Sequence, residues 1–558
     1  MAGIADFLDS LIGGFDLICF CMAIGGLFWG LFLLRPWEND NTSSAALNTA
    51  LLQKTVALIY KGGFWLAAAQ LFKIVLKIWL MVAVLERWPF PEFAQTTQFI
   101  GGMVRAFLTA LMAGYCYYIL SKHLFSKQHW ITAGLVALPM IISGAWLVHA
   151  AGRFDNRFLL MSLTVMHQLA AAAWVGGIFQ LVNVWLLQRN NQVPEQSWSL
   201  LLKRFSIFGI ISVGLILLSG LPISLQYIDS WNGLIGTGYG NLLMVKVVLL
   251  SLALGFAWLN RSAVLQFVGF GNDYALKNRV PYYVQAETLV LVILLFTAAS
   301  LASQPPAIDI PDLTASWQEV LDTFSPRFPR TSSPTHTDLI AGEAGRVAII
   351  GQTPSMAATE WSNYNHNIAG IFLTVMSFFA MVSYMKYLPA PLSAVDKYVH
   401  LTKYWPLGFV CLGIFLFFRS DAETWPLGPI GFWESTFNNG EVLQHRIATL
   451  LVLVLGFMEL AARITKNPNS KLPYVFPILA AFGGLMLLTH SHVGFQAKSA
   501  FLIQVGHTSM GIFALILSCG RWLELKLDSP GKDIAGFVSV FALFQMGLIL
   551  MFYLEPLY

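Results

Sequence analysis

Histidine and methionine residues at helical spacing are the first indication of chemistry in this chain. Met486 and His490 are four residues apart and His507 and Met510 are three apart, so each pair would lie on one face of a helix. A thioether beside an imidazole is a soft to borderline ligand set that suits copper better than magnesium or calcium. The spacing predicts a copper site, while methionine acting as apolar filler is the open alternative.

The elements that must position these residues are membrane helices. The chain has 558 residues, of which 56% are hydrophobic and 11% charged, and its mean hydropathy is +0.65. Apolar runs long enough to cross a hydrocarbon core recur about fourteen times. We therefore predict an all-α, polytopic membrane bundle of eight plus six spans. The runs lie near 14–34, 62–85, 100–121, 130–150, 158–187, 204–225, 242–259, 283–302, 366–388, 404–418, 445–463, 473–490, 502–524 and 533–554.

Lysine and arginine residues predict the orientation of these spans. Most of the 33 basic residues fall in loops that follow odd-numbered spans, whereas the opposite side has acidic segments such as 421–441. Basic loops face the cytoplasm. We expect a bacterial inner-membrane protein with both termini in the periplasm.

This topology places eight of the eleven histidines toward the periplasmic side. Any one of them could be an interfacial residue without a ligand, but polar groups at membrane depth tend to mark ion or substrate pathways. Imidazole is also well suited to transition metals. The outward histidines are His149, His167, His336, His366, His445, His490, His492 and His507. The predicted metal ligands are His167, His366, His445, His490, His492, His507, Met486 and Met510.

A proline-rich segment divides the chain. Residues 307–362 have a composition typical of a linker, and we predict one short surface helix at 312–323. The predicted domains are an eight-helix unit at 1–306 and a six-helix, histidine-rich unit at 363–558, joined by this periplasmic linker.

The motifs of several functional classes are absent from the sequence. The chain has no GxxxxGK[ST] loop, no aspartyl-phosphate segment of the DKTGT type and no hydrolase nucleophile constellation, so we expect no enzyme. The five cysteines form no CxxC motif. The net charge of +4 is explained by the basic loops, and we expect no nucleic-acid partner.

An ordered series of short motifs carries a family resemblance over residues 158–306. The pieces are HQLAAAAWVGG from His167 to Gly177, RFS from Arg204, SG at 219–220, YGNLLMVK from Tyr239, NR at 260–261, Glu287 and PP at 305–306. In order and spacing, this series resembles the copper resistance D (CopD/PcoD) family of inner-membrane proteins.

The resemblance implies copper uptake from the periplasm, with a small periplasmic copper protein of the copper resistance C type as partner. The outward segments have no β-strand pattern, so that partner would be a separate chain. We predict a protein that accepts Cu(I) or Cu(II) on the periplasmic side and moves it into or across the membrane. A factor that delivers copper to a neighbouring membrane enzyme fits the outward histidines equally well.

A haem b electron-transfer protein is the alternative from another class. His366 and His507 are each followed four residues later by a glycine, Gly370 and Gly511, which would clear space for a porphyrin edge.

Two further expectations concern the first unit. Gly176 would allow close approach of a neighbouring helix, and Glu287 would be an ion-paired or interfacial group.

Overall fold

Helices make up nearly all of the structure. The computed structural model describes residues 2–34, 49–153, 155–194, 196–343, 355–387, 402–465, 467, 469–489 and 497–555. A helix satisfies its backbone hydrogen bonds internally, as a lipid environment requires. Within these residues the extended pairing is one isolated bridge between Thr424 and Ile430. The predicted all-α class is confirmed.

Eight long helices lie in the described part of the first 303 residues. The first, α1, continues beyond Phe20 through two π-helical segments, Cys21–Gly25 and Trp29–Leu34. The helices are α1 (Ala2–Phe20), α2 (Thr49–Leu85), α3 (Thr97–Lys122), α4 (Lys127–Gly144), α5 (Arg157–Arg189), α6 (Gln196–Tyr227), α7 (Gly238–Phe270) and α8 (Val280–Ser303).

Nine further helices follow in the residues that the structure describes, and three of them are short. Side chains cap several of their first turns: Ser355 accepts from the Ala358 amide at 3.1 Å, and Asn439 accepts from Glu441 at 2.9 Å. The helices are α9 (Trp317–Phe324), α10 (His336–Glu343), α11 (Met356–Met381), α12 (Leu407–Arg419), α13 (Phe432–Asn438), α14 (Gly440–Ile464), α15 (Val475–Thr489), α16 (Ala497–Glu524) and α17 (Gly531–Met551).

Thirteen helices in the described part of the chain are long and apolar enough to cross a membrane. The protein is therefore a multi-pass membrane protein. The run predicted at 404–418 forms α12, which has 13 residues. Such a helix is about 20 Å long, shorter than a hydrocarbon core of about 30 Å.

The chain forms two compact units. The N-terminal unit comprises Leu8–Asp229 and Leu249–Ser303, and the C-terminal unit comprises Met1–Phe7, Ser230–Val248 and Gln304–Tyr558. In the C-terminal unit, α11, α12, α15 and α17 pack around buried Leu373, Phe409, Phe476 and Leu543.

The proline-rich segment is better packed than its composition indicates. Ser316 begins α9 with a capping box, and buried Ala315 donates its amide to the Gly236 carbonyl at 2.9 Å. Ala315 packs against Phe501 and Leu502 of α16, while a second helix, α10, follows the predicted one. A strong local cap and a small buried residue thus order this stretch. Residues 344–354 lie outside the described part.

A crossing of glycines joins α5 to the π-helical continuation of α1 in the N-terminal unit. A Cβ atom on Gly176 would lie 2.2 Å from the Cys21 carbonyl oxygen and 2.6 Å from the Gly25 Cα. Only a residue without a side chain permits this distance. The close approach expected at Gly176 is present.

Candidate functional site

Two histidines from different helices meet in the C-terminal unit. The ring centroids of His366 on α11 and His507 on α16 are 6.0 Å apart. Each residue follows the first residue of its helix by ten positions, about 15 Å of helix. The ring of Tyr553, just after α17, lies 4.1 Å from His366 and 6.4 Å from His507. The structure thus brings two of the predicted ligands together beside an aromatic ring.

Both histidine rings are oriented by a carbonyl one helical turn earlier. The Nδ1 atom of His366 lies 2.8 Å from the Ser362 carbonyl oxygen, and Nδ1 of His507 lies 2.9 Å from that of Ile503. A carbonyl oxygen only accepts hydrogen bonds, so Nδ1 carries the hydrogen and Nε2 carries the lone pair of each neutral ring. Metal-ligating histidines are commonly oriented in this way.

Two asparagines of α11 hold the segment that carries Tyr553. Asn367 Nδ2 donates to the carbonyl oxygens of Tyr553 at 2.9 Å and Leu550 at 3.2 Å. Asn363 Oδ1 accepts from the Glu555 amide at 2.6 Å. The asparagines are four residues apart and share one face of α11. They fix the chain after α17 beside His366.

Tyr553 contributes an aromatic ring to the site and not a charged ligand. Burial raises the pKa of its phenol well above the usual range, and the carboxylates of Glu555 and Glu441 raise it further. The neutral phenol is therefore the stable form, and stacking on His366 is its main contribution. Sequence reasoning missed Tyr553 because it lies at the end of the last apolar run, 533–554, and no spacing connects it to His366.

His445 is oriented by a carboxylate. Its Nδ1 atom lies 2.9 Å from Asp421 Oδ1. Glu441 and Glu555 lie within electrostatic range of both His445 and Tyr553. The start of α14 therefore lies in the same region of the C-terminal unit as the His366–His507 pair.

Of the other predicted ligands of this unit, two are buried and two lie outside the described residues. Met486 on α15 and Met510 on α16 are buried, and His490 and His492 lie outside the described residues. Among the residues that are described, no three His, Cys, Asp or Glu side chains come close enough together to hold one metal ion. A full ligand set around one ion stays a prediction.

The glycines that suggested haem have another explanation. A Cβ atom on Gly370 would lie 2.0 Å from the Met551 backbone nitrogen, and one on Gly511 would lie 2.7 Å from the Leu488 side chain. These glycines allow α11 to pack against α17 and α16 against α15. The space expected for a porphyrin edge is filled by neighbouring helices.

His167 is held between α5 and α6 in the N-terminal unit. Its Nδ1 atom lies 3.1 Å from both the Ile216 carbonyl oxygen and Ser219 Oγ. A Cβ atom on Gly220 would lie 3.0 Å from His167 Cε1, so glycine makes room for the ring. The carbonyl again assigns the hydrogen to Nδ1 and the lone pair to Nε2.

Glu287 was expected to be ion-paired or interfacial, and the described residues show no ion pair for it. It is 1% exposed, and Trp174 Nε1 donates to its Oε1 at 3.2 Å while Asn260 Nδ2 donates to its Oε2 at 2.8 Å. No ion pair involves this carboxyl in the described part of the chain. Three of the motif pieces, on α5, α7 and α8, thus meet at one buried group.

Comparison with known proteins identifies a family segment. Residues 199–301 match the family described as Copper resistance protein D. The match spans α6, α7 and nearly all of α8, and it includes Ser219, Asn260 and Glu287. The motif from His167 to Gly177 precedes it.

A curated relative gives the same indication. The chain is 31% identical over 147 residues to the copper transport protein CutJ of Bacillus subtilis (strain 168). The alignment covers 26% of this chain and 26% of that relative, so the chain spans about a quarter of the relative's length. No solved structure matches the chain.

Proposed function

We propose that this protein is a copper transporter of the bacterial inner membrane. It accepts copper on the periplasmic side and moves it into or across the membrane. The observation that carries this proposal is the position of the copper resistance D match, which falls on three membrane-spanning helices. The family likeness therefore concerns the part of the chain that crosses the bilayer.

His167 contacts the matched helices and is itself the proposed metal ligand. It contacts Ile216 and Ser219, both within the match, and its tautomer leaves the lone pair on Nε2. An imidazole fixed in this way is pre-organised, so binding a soft cation would not first require ordering the ring. In this proposal His167 is a copper ligand of the N-terminal unit.

The histidine pair of the C-terminal unit supplies a second proposed site. His366 and His507 present their rings at equal distances along their helices, and Tyr553 covers one of them. Two imidazoles suit Cu(I) or Cu(II), and a buried methionine such as Met510 would favour Cu(I). His445, His490, His492 and Met486 complete the proposed ligand group.

The remaining assignments are part of the same proposal. The domains are 1–306, the connecting segment 307–362 and 363–558, and both termini are periplasmic. On this topology the His366–His507 pair faces the periplasm, where a separate copper resistance C-type protein would deliver the ion.

Copper accumulation in cells tests the transport proposal. We expect His167→Ala to reduce accumulation of copper by cells that express it, without loss of the protein from the membrane. His129→Ala is the matched control, because His129 is half-buried near the start of α4 and contacts Ser126, on the side that the topology places in the cytoplasm. The control should retain wild-type accumulation.

Wild-type accumulation by a well-expressed His167→Ala variant would reduce His167 to a structural residue. If wild-type protein itself leaves cellular copper unchanged, transport is wrong. Copper bound to the purified protein would then favour delivery to a neighbouring enzyme.

A further inference from the structure

The buried carboxyl of Glu287 is poorly suited to carry a charge. Trp174, Asn260 and Glu287 are 2%, 7% and 1% exposed, so water does not solvate the group. Its two hydrogen-bond donors are an indole and an amide, both neutral. An ionised carboxylate without a cationic partner is costly in such a place.

Several charged groups on the neighbouring helices have partners of their own. Asp16 of α1 pairs with Arg105 at 3.7 Å, and Arg261 of α7 donates to Ser206 at 3.1 Å. His167 of α5 is held by α6. The titratable and charged groups on α1 and its continuation, α5 and α7 include Asp9, Asp16, Cys19, Cys21, Arg157, His167, Arg189, Lys246 and Arg261.

Asn260 also has an unsatisfied acceptor. Its Oδ1 atom is buried and has no hydrogen-bond partner in the described structure. A protonated Glu287 has one O–H to donate, and the two ends of the Asn260 amide are nearly isosteric. If the amide turns over, Oδ1 can accept that hydrogen. The cluster therefore accommodates the carboxyl in both the neutral and the ionised form.

We propose that Glu287 is a proton-binding site within the membrane, protonated at neutral pH, and that it exchanges its proton during copper movement. The step is the binding of one proton to a carboxylate oxygen and its later release. The first part stands on the geometry of the cluster, and the second rests on the proposed transport function.

Infrared difference spectroscopy of the purified, membrane-reconstituted protein tests the first part without copper. We expect a C=O band of a protonated carboxylic acid at neutral pH that is lost in Glu287→Gln. Trp174→Phe should keep the band but shift it to higher frequency, because one hydrogen bond to the carboxyl is lost. A role in packing alone would not produce this shift.

Glu459→Gln is the matched control. Glu459 is 0% exposed, yet two guanidinium groups contact its carboxyl, Arg463 at 2.7 Å and Arg521 at 2.9 Å. This variant should retain the band. If wild type lacks a protonated-carboxyl band, or if Glu287→Gln retains it in full, the proton site is wrong.

Copper flux into vesicles tests the second part. We expect flux by wild type to respond to an imposed pH gradient and flux by Glu287→Gln to lose that response. Wild-type flux that ignores the gradient would overturn proton exchange while leaving copper transport intact. Absence of any wild-type flux would overturn both transport and exchange, and the infrared result would still decide whether Glu287 binds a proton.

Discussion

The His366–His507 pair and the Trp174–Asn260–Glu287 cluster show two ways of keeping polar groups in a membrane bundle. The histidines are half-buried, and their Nδ1 atoms bond to carbonyls of their own helices. Glu287 is fully buried, and its partners come from two other helices. The first arrangement orients a lone pair, whereas the second encloses a carboxyl.

This difference separates metal chemistry from proton chemistry. A lone pair with a fixed direction and partial access suits an arriving cation. A carboxyl without water or a cationic partner suits a proton, since protonation removes the charge. The two regions should therefore respond to different substitutions.

Removing both imidazoles should give the largest effect. We expect His366→Ala combined with His507→Ala to lower copper affinity of the purified protein by more than about 100-fold, since direct ligands outweigh outer partners. Competition with a copper chelator measures this. The protonated-carboxyl band of Glu287 should persist. Unchanged copper affinity would remove the histidine pair from the proposed site.

A side chain at the glycine crossing should damage the other region. Gly176→Val would place atoms against the Cys21 carbonyl oxygen and should destabilise the protein by about 2 kcal/mol or more. Thermal unfolding in detergent measures the effect. Gly114→Val is the control, because nothing lies within 4 Å of a Cβ atom there. Equal melting temperatures for the two variants would contradict the close crossing.

Loss of the C-terminal anchor should have an intermediate effect on copper. Asn367→Ala removes the donors to the Tyr553 and Leu550 carbonyls, and we expect copper affinity to fall about 10-fold as the ring beside His366 shifts. Asn365→Ala is the matched control, since Asn365 donates to the Arg419 carbonyl. Similar losses in both variants would show a general effect on α11.

Changes at Tyr553 should be the smallest. Tyr553→Phe keeps the ring and should leave copper affinity nearly unchanged, whereas Tyr553→Leu should lower it by about 2- to 10-fold through lost stacking. The same chelator titration distinguishes them. A large loss in Tyr553→Phe would mean that the hydroxyl, and not the ring, matters.

Apolar length made most of the architecture predictable. Thirteen of the predicted apolar runs correspond to long helices in the described structure. A segment in lipid must satisfy its backbone hydrogen bonds internally, and a helix does so. The differences from expectation were local. Run 404–418 became the short helix α12, and the proline-rich segment packs because one cap and a small buried residue outweigh its composition.

The candidate site was only partly predictable for a related reason. Spacing within one helix places Met510 beside His507, but it says nothing about Tyr553, whose position depends on asparagines of another helix. Glu287 was expected to be ion-paired or interfacial, yet its hydrogen-bond partners are neutral groups on two other helices. Contacts between side chains of different helices leave no periodic pattern in the sequence.

The glycine crossing also constrains how the protein is made. Gly25 and Gly176 touch through their backbones although about 150 residues separate them along the chain, a strongly non-local contact. During synthesis the first helix emerges long before α5 exists. Until α5 has been synthesised, the π-helical face that carries Gly25 contacts lipid or a chaperone in place of α5. Assembly of the N-terminal unit thus includes a docking event between its first helix and a segment made about 150 residues later.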